Sequence, residues 1–252
     1  MKNIELLPDE RLDYINEDLS LIQLKSGLTF GTDAYLLSAF VKKGSKGIDL
    51  GGGTGVASLL CLTKNKIDYM YAAEIQPRFA HISKRNALLN NLSHRMTVIE
   101  GDIRNLTEKD TGGCVDTVIS NPPYMTAGGG AGNLSPEMNA ARREINGTIS
   151  DFCAAASRLL KYGGLFYTVY RADRLCDLFF SLRSNGLEPK KLVTVYPDTE
   201  SAPCLVLCES KKGANPSLIH SRPLIIYKSG TRDYTEDMQK VYDTCSLSHL
   251  FK

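Results

Sequence analysis

Residues 46–55 read Lys-Gly-Ile-Asp-Leu-Gly-Gly-Gly-Thr-Gly. A short apolar strand, Lys46 to Leu50, runs straight into a turn made almost wholly of glycine, and a helical stretch follows to about Lys64. Glycine lets the backbone turn tightly and come close to a ligand while the next helix starts beneath it. The spacing Asp49-x-Gly51-x-Gly53-x-Gly55 fits neither G-x-x-x-x-G-K-S/T nor G-x-G-x-x-G, and no lysine stands ready to hold phosphates. A nucleotide triphosphate is therefore the wrong ligand for this turn.

Working outward, the same order repeats. Tyr69 to Glu74 reads as a second strand, and Pro77 suits the first turn of a helix reaching about Asn91. Met96 to Glu100 is a third strand, turned away by Gly101-Asp102, and Val115 to Ser120 is a fourth. A helix from about Ser150 to Lys161, capped by Ser150 or Asp151, should stop at Gly163-Gly164. Leu165 to Tyr170, Leu192 to Tyr196 and Cys204 to Glu209 complete the strands. Such alternation predicts an α/β fold: a mostly parallel, Rossmann-like sheet with helices on both faces. Ligands of these sheets sit outside the carboxyl ends of the strands, where strand order reverses.

The strand ends are therefore the residues to examine. Glu74 closes the second strand, 25 residues after Asp49, where a carboxylate can accept from two ribose hydroxyls. Asp102 follows the third, placed either to accept from an adenine amino group or simply to form the turn after Gly101. Asn121-Pro122-Pro123-Tyr124 ends the fourth. Three acids and an aromatic corner suit a ligand with an adenosine part and no phosphates, and S-adenosylmethionine is that ligand.

Composition sets limits on the rest. The 252 residues are 42% hydrophobic and 23% charged, enough for one large domain with a proper core. A net charge of +2 makes no global case for nucleic acid. Seven cysteines without a C-x-x-C pair point to reduced thiols, not to zinc; Cys204 and Cys208 would share one strand face. The acidic first residues do not resemble a signal peptide, and no apolar run reaches the ~20 residues of a membrane span, so a cytoplasmic protein is expected.

Asp49 to Gly55, Glu74, Asp102 and Asn121 to Tyr124, in this order, resemble the class I S-adenosylmethionine-dependent methyltransferases with an Asn-Pro-Pro-Tyr motif. Glu10-Arg11-Leu12-Asp13, Phe30-Gly31-Thr32-Asp33-Ala34-Tyr35-Leu36-Leu37, Ala141-Arg142-Arg143-Glu144 and Tyr234-Thr235 narrow the likeness. They are similar to the bacterial family that methylates N6 of adenine 37 in valine tRNA. The resemblance implies a seven-stranded sheet whose last strand is antiparallel. It also implies a cofactor-covering segment over residues 1–45, with Phe30 and Asp33 near the cofactor, ahead of a methyltransferase core over 46–252. Asp33 can equally be the N-cap of a helix from Ala34 to Phe40.

Chemistry explains the corner. An exocyclic amine gains positive charge as it attacks a methyl group, so acceptors aimed at it lower the barrier. Asn121 Oδ1 and the Pro122 carbonyl suit that task, Pro122-Pro123 hold them stiffly, and Tyr124 offers a face for an extruded base. Guanine N2 of ribosomal RNA and glutamine amides of release factors are planar nitrogens that the same clamp can hold. The glutamine enzymes carry a helical domain for which about 45 leading residues are too few. A non-catalytic RNA-binding protein on this fold is the alternative from another class. RNA, and tRNA above all, leads as the substrate, with Arg142, Arg143, Arg171 and Arg174 flanking the pocket and Lys190-Lys191 and Lys211-Lys212 adding charge. No metal and no membrane partner is expected, and a monomer is the default state. His81, His94, His220 and His249 show no partner pattern.

Overall fold

The computed structural model describes residues 5–26, 31–123 and 147–251. The chain opens with an antiparallel hairpin, β1 (Glu10–Asn16) and β2 (Leu19–Leu24), followed by α1 (Thr32–Phe40). There follow β3 (Gly44–Leu50), α2 (Val56–Thr63), β4 (Ile67–Glu74), α3 (Pro77–Leu89), β5 (Met96–Glu100) and β6 (Val115–Ser120). Next come α4 (Ile149–Leu159), β7 (Leu160–Arg171), α5 (Leu175–Ser184), β8 (Leu187–Tyr196) and β9 (Leu205–Lys212). Two short strands, β10 (Ile219–His220) and β11 (Leu224–Ile225), and helix α6 (Glu236–Thr244) finish the fold.

The main sheet runs β10-β8-β9-β7-β6-β3-β4-β5, with β11 also on β8. β3 pairs in parallel with β4 and β6, β4 with β5, and β6 with β7, whereas β9 runs antiparallel between β7 and β8. The seven expected strands are all present, the last of them reversed, and β10 and β11 add an interrupted edge along β8. Strand order reverses between β3 and β6, which places the crevice at their carboxyl ends.

Alternation sorts the side chains onto two faces. On β7, Phe166 and Tyr170 join the core under α4 and α5, while Tyr167 and Val169 join the one under α1, α2 and α6. The hairpin adds a third, smaller core in which Ile22 and Leu24 meet Phe79, Ile82 and Leu89 of α3.

Several local expectations need correction. Thr148 caps α4, and Asp151 is the acid that closes its capping box: the Thr148 side chain and the Asp151 carboxylate satisfy each other's backbone donors. Gly163 and Gly164 stop no helix. They lie inside β7, which already begins at Leu160. Gly31, not Asp33, occupies the N-cap of α1, and Asp33 sits within the first turn. Cys204 precedes β9 and is exposed, whereas Cys208 is buried within it, so the two do not form one surface. All seven cysteines are free, and no metal-binding cluster of His, Cys, Asp and Glu occurs among the described residues. No helix among them is long and apolar enough to cross a membrane.

Candidate active site

Register aligns the strand ends along one edge. Leu50 of β3 faces Ala73 of β4, Asp49 faces Ile119 of β6, and Glu74 faces Glu100 of β5. With neighbouring strands ~4.8 Å apart, the row from β6 to β5 is roughly 14 Å long. The buried Ser120 hydroxyl donates to the Leu50 carbonyl at 2.8 Å, locking the end of β6 to the end of β3. Asn121, the next residue, therefore starts beside Gly51.

The glycine turn is held from below. Gly51 and Gly52 both donate their N–H to the Ala73 carbonyl, at 2.9 and 3.0 Å, and Gly53 donates to Glu74 Oε2 at 2.8 Å. Gly51, Gly53 and Gly55 have φ of +72°, +54° and +87°, where a side chain is strained. Asp49 is 2% exposed. Its carboxylate is buried under the turn and accepts from the Ser58 hydroxyl of α2 at 3.0 Å. Burial pushes the Asp49 carboxyl up to about 7, the Ser58 bond opposing the rise and the charge of Glu74 adding to it.

Glu74 is also buried, and its other oxygen, Oε1, accepts from the Gln76 N–H at 2.8 Å. Burial raises its carboxyl above the usual range, against the pull of the Gln76, Gly53 and Ile75 amides. A carboxylate has about four lone-pair sites, so with these amides bound it can still accept from a hydroxyl donor. Among the described residues, no atom lies within 4 Å of where a Cβ on Gly53 or on Gly101 would stand. Among the described residues, the backbone beside Glu74 is thus uncovered by side chains at Gly53 on the β3 side and at Gly101 on the β5 side. Asp102, beyond Gly101, is differently engaged: its carboxylate accepts from the Arg104 N–H at 2.9 Å and pairs with the Arg104 guanidinium. That hydrogen bond from the Arg104 side chain holds the Asp102 carboxyl below the usual range.

Asn121 and Pro123 are half-buried and Pro122 is buried. Arg171 lies at the carboxyl end of β7, next to β6, with its Nε 2.9 Å from Asp173 Oδ1. Arg174 pairs with Asp177 at 3.0 Å and stands 5.5 Å from the Tyr170 ring centre. Phe30, Tyr124, Arg142 and Arg143, with the rest of 124–146, lie outside the described residues. The two lysine doublets fall elsewhere. β8 and β9 are antiparallel, with Leu187 opposite Lys212 and Glu188 opposite Lys211, so Lys211-Lys212 stands at the amino end of β8, away from the crevice, while Lys190-Lys191 lies in the middle of β8, near the sheet edge opposite β5. Lys212 caps the Leu160 carbonyl, Lys190 binds the Asn215 carbonyl, and Lys191 lies 4.4 Å above the Phe251 ring.

Some residues of the site escape motif reading. Ser58 lies beneath the turn, and Ser83 and Asn86 of α3 pack against it from the side. The signal for the last two was a polar stripe, Ser83, Asn86 and Asn90, along the apolar face that carries Phe79, Ile82 and Leu89. Polar groups on a buried face need partners: Asn86 finds them in the turn and the hairpin and Asn90 in the hairpin, whereas the Ser83 hydroxyl has none among the described residues.

The chain is 24% identical to the tRNA1(Val) (adenine(37)-N6)-methyltransferase of Flavobacteriaceae bacterium (strain 3519-10), over 86% of this chain and 91% of the relative. It is 28% identical to the protein of that name from Bacteroides fragilis (strain YCH46), over 71% and 75%. Among solved structures, a predicted O-methyltransferase of Agrobacterium tumefaciens superposes with a TM-score of 0.68 at 20% identity, covering 85% of this chain and 97% of the other. The M. jannaschii TYW2 protein in complex with AdoMet superposes at 0.57 with 15% identity, over 82% and 88%. The family model of the methyltransferase small domain matches residues 25–177, a span that carries the glycine turn, Glu74 and the proline corner alike. The chain belongs to the methyltransferase small domain family.

Proposed function

We propose that this protein transfers a methyl group from S-adenosylmethionine to the exocyclic N6 of an adenine in RNA, the adenine at position 37 of a valine tRNA. The observation that carries the reading is the Ser120–Leu50 bond, which sets the proline corner beside the glycine turn at the switch point of the sheet. A methyl donor on the turn and an amine on the corner are thereby neighbours. Bound S-adenosylmethionine supplies a sulfonium methyl group. Glu74 is suited to its ribose, with the space above Gly53 and Gly101 for the sugar and base.

On the acceptor side, Asn121 Oδ1 and the Pro122 carbonyl accept from the two N–H bonds of the target amine, and Tyr124 stacks on the base. Charge building on nitrogen makes those bonds stronger at the transition state than in the ground state. No strong general base is needed, because the methylated, positively charged amine is acidic enough to lose its proton to water. Arg171, with Arg142 and Arg143, is assigned to RNA phosphate. The names of the relatives support RNA and this adenine as the target. Residues 1–45, which include the hairpin and α1, are assigned as the segment that covers the donor.

The test is methyl transfer from labelled S-adenosylmethionine to total tRNA, ribosomes and release factor, followed by mass spectrometry of the nucleosides. N6-methyladenosine in the tRNA fraction is the expected product. Label found only in protein, or only as N2-methylguanosine in ribosomal RNA, defeats the assignment.

A further inference from the structure

Helix α3 meets the N-terminal hairpin and the glycine turn at once, and one fully buried side chain makes both contacts. Asn86 Oδ1 accepts from the Ile22 N–H at 2.6 Å, and its Nδ2 donates to the Ile22 carbonyl at 3.1 Å. The same Nδ2 donates to the Thr54 carbonyl, in the middle of the turn, at 3.0 Å. One helical turn later, Asn90 Oδ1 accepts from the Ser20 N–H at 3.0 Å and its Nδ2 donates to the Ser20 carbonyl at 2.7 Å.

The match has a geometric cause. Residues four apart on a helix advance ~6 Å along its axis, and alternate residues of a strand ~6.6 Å. Two amides on α3 can therefore stand against the free edge of β2 as a neighbouring strand would. Both asparagines dock the hairpin, but only Asn86 reaches the turn. Both of its amide donors and its acceptor are committed. Glu10 strengthens the docking without touching the turn: it is buried, and both its oxygens lie 2.7 Å from Arg85 Nη1 of the same helix.

We infer that Asn86 is a positioning residue for the methyl-donor site: by joining Ile22 to Thr54 it couples docking of the N-terminal hairpin to the shape of the glycine turn, and so to donor affinity. The inference rests on the reading that this turn holds S-adenosylmethionine. Coupling of this kind is reciprocal. The hairpin tightens the donor site, and bound donor tightens the hairpin.

Asn90→Ala provides a matched control, since it removes a hairpin amide and leaves the turn alone. Calorimetry on the full chain should show donor Kd raised about tenfold in Asn86→Ala, the scale of one net hydrogen bond, and within about twofold in Asn90→Ala. In steady state, Asn86→Ala should raise KM for the donor while kcat at saturation stays within about twofold. Equal shifts of Kd in the two variants, or none in either, overturn the inference. Should Asn86→Ala not fold, hydrogen exchange of the wild-type protein decides. Added S-adenosylmethionine should slow exchange of the Ile22 N–H at least about fivefold more than that of the Ser221 N–H, which donates to Leu192 at the far edge of the sheet. Equal effects on both amides overturn the coupling alone. A wild-type protein that binds no donor overturns the donor reading, and the coupling with it.

Discussion

A Cβ placed on Gly55 would stand 2.5 Å from Ser83 Oγ, so α3 touches the glycine turn at the spot where the turn becomes α2. Gly55 also holds φ at +87°. Gly55→Ala therefore meets two separate penalties, a left-handed backbone strain of about 1–3 kcal/mol and an overpacking cost of similar size. Urea melts should show a loss of about 3 kcal/mol in the single variant. Ser83→Ala in the same chain should recover the steric part and leave the backbone part. Ser83 alone is a safe partner to change, because its hydroxyl is buried and has no hydrogen-bond partner among the described residues. Full recovery in the double variant would show that the backbone strain is negligible.

Glu74 is the residue on which donor affinity should depend most. Glu74→Ala removes the acceptor of the Gly53 N–H as well as the proposed ribose acceptor. Donor Kd should rise about tenfold to a hundredfold, the scale of one charged hydrogen bond, with kcat at saturating donor little changed. Acid should mimic the loss. Burial raises the Glu74 carboxyl, so it protonates, and donor affinity declines, at a higher pH than an exposed carboxylate would show. Glu74→Gln should abolish that slope; a slope that survives belongs to another group.

Asp49 should make stability depend on pH. Its carboxyl is raised to about 7 by burial, whereas the unfolded chain releases this proton near pH 4. Between those values the folded state holds the extra proton, so stability falls as pH rises through that window and levels off above it. Asp49→Asn carries no such proton. Relative to wild type, the variant should gain in Tm from pH 5 to pH 8, and a constant difference across that range would contradict the buried, neutral carboxyl.

Turnover should depend on Asn121. Asn121→Ala removes an acceptor that matters most as charge builds on the target nitrogen, so kcat should fall about a hundredfold or more while donor Kd stays within about twofold. Single-turnover rates with tRNA would measure this directly. A variant with normal turnover and weakened donor binding would move Asn121 from the acceptor side of the site to the donor side.

Motif reading located the edge of the sheet better than it assigned partners along that edge. The placement of the glycine turn, Glu74 and Asn121 at strand ends was legible because each stands where the local pattern shows a strand to end. Asp102 is the instructive contrast. Its place after Gly101 was readable, yet its carboxylate is bound to Arg104 two residues on, a choice that depends on the short helical turn at Ile103–Asn105. Lys211-Lys212 shows the same limit: its charge was plain, but only antiparallel pairing of β8 with β9 sends it to the amino end of β8, away from the crevice.

Chain order and local sterics were enough for the alternating strands and helices and for a turn that demands glycine at positions 51, 53 and 55, because period and φ belong to consecutive residues. Folding in three dimensions alone decided which groups meet. Gly53 finds Glu74 across a gap of 21 positions, Asn86 finds Thr54 across 32, and Ser120 finds Leu50 across 70. The reason is that buried polar groups must be paired, and which partner is at hand depends on strand order and on the packing of helices against the sheet.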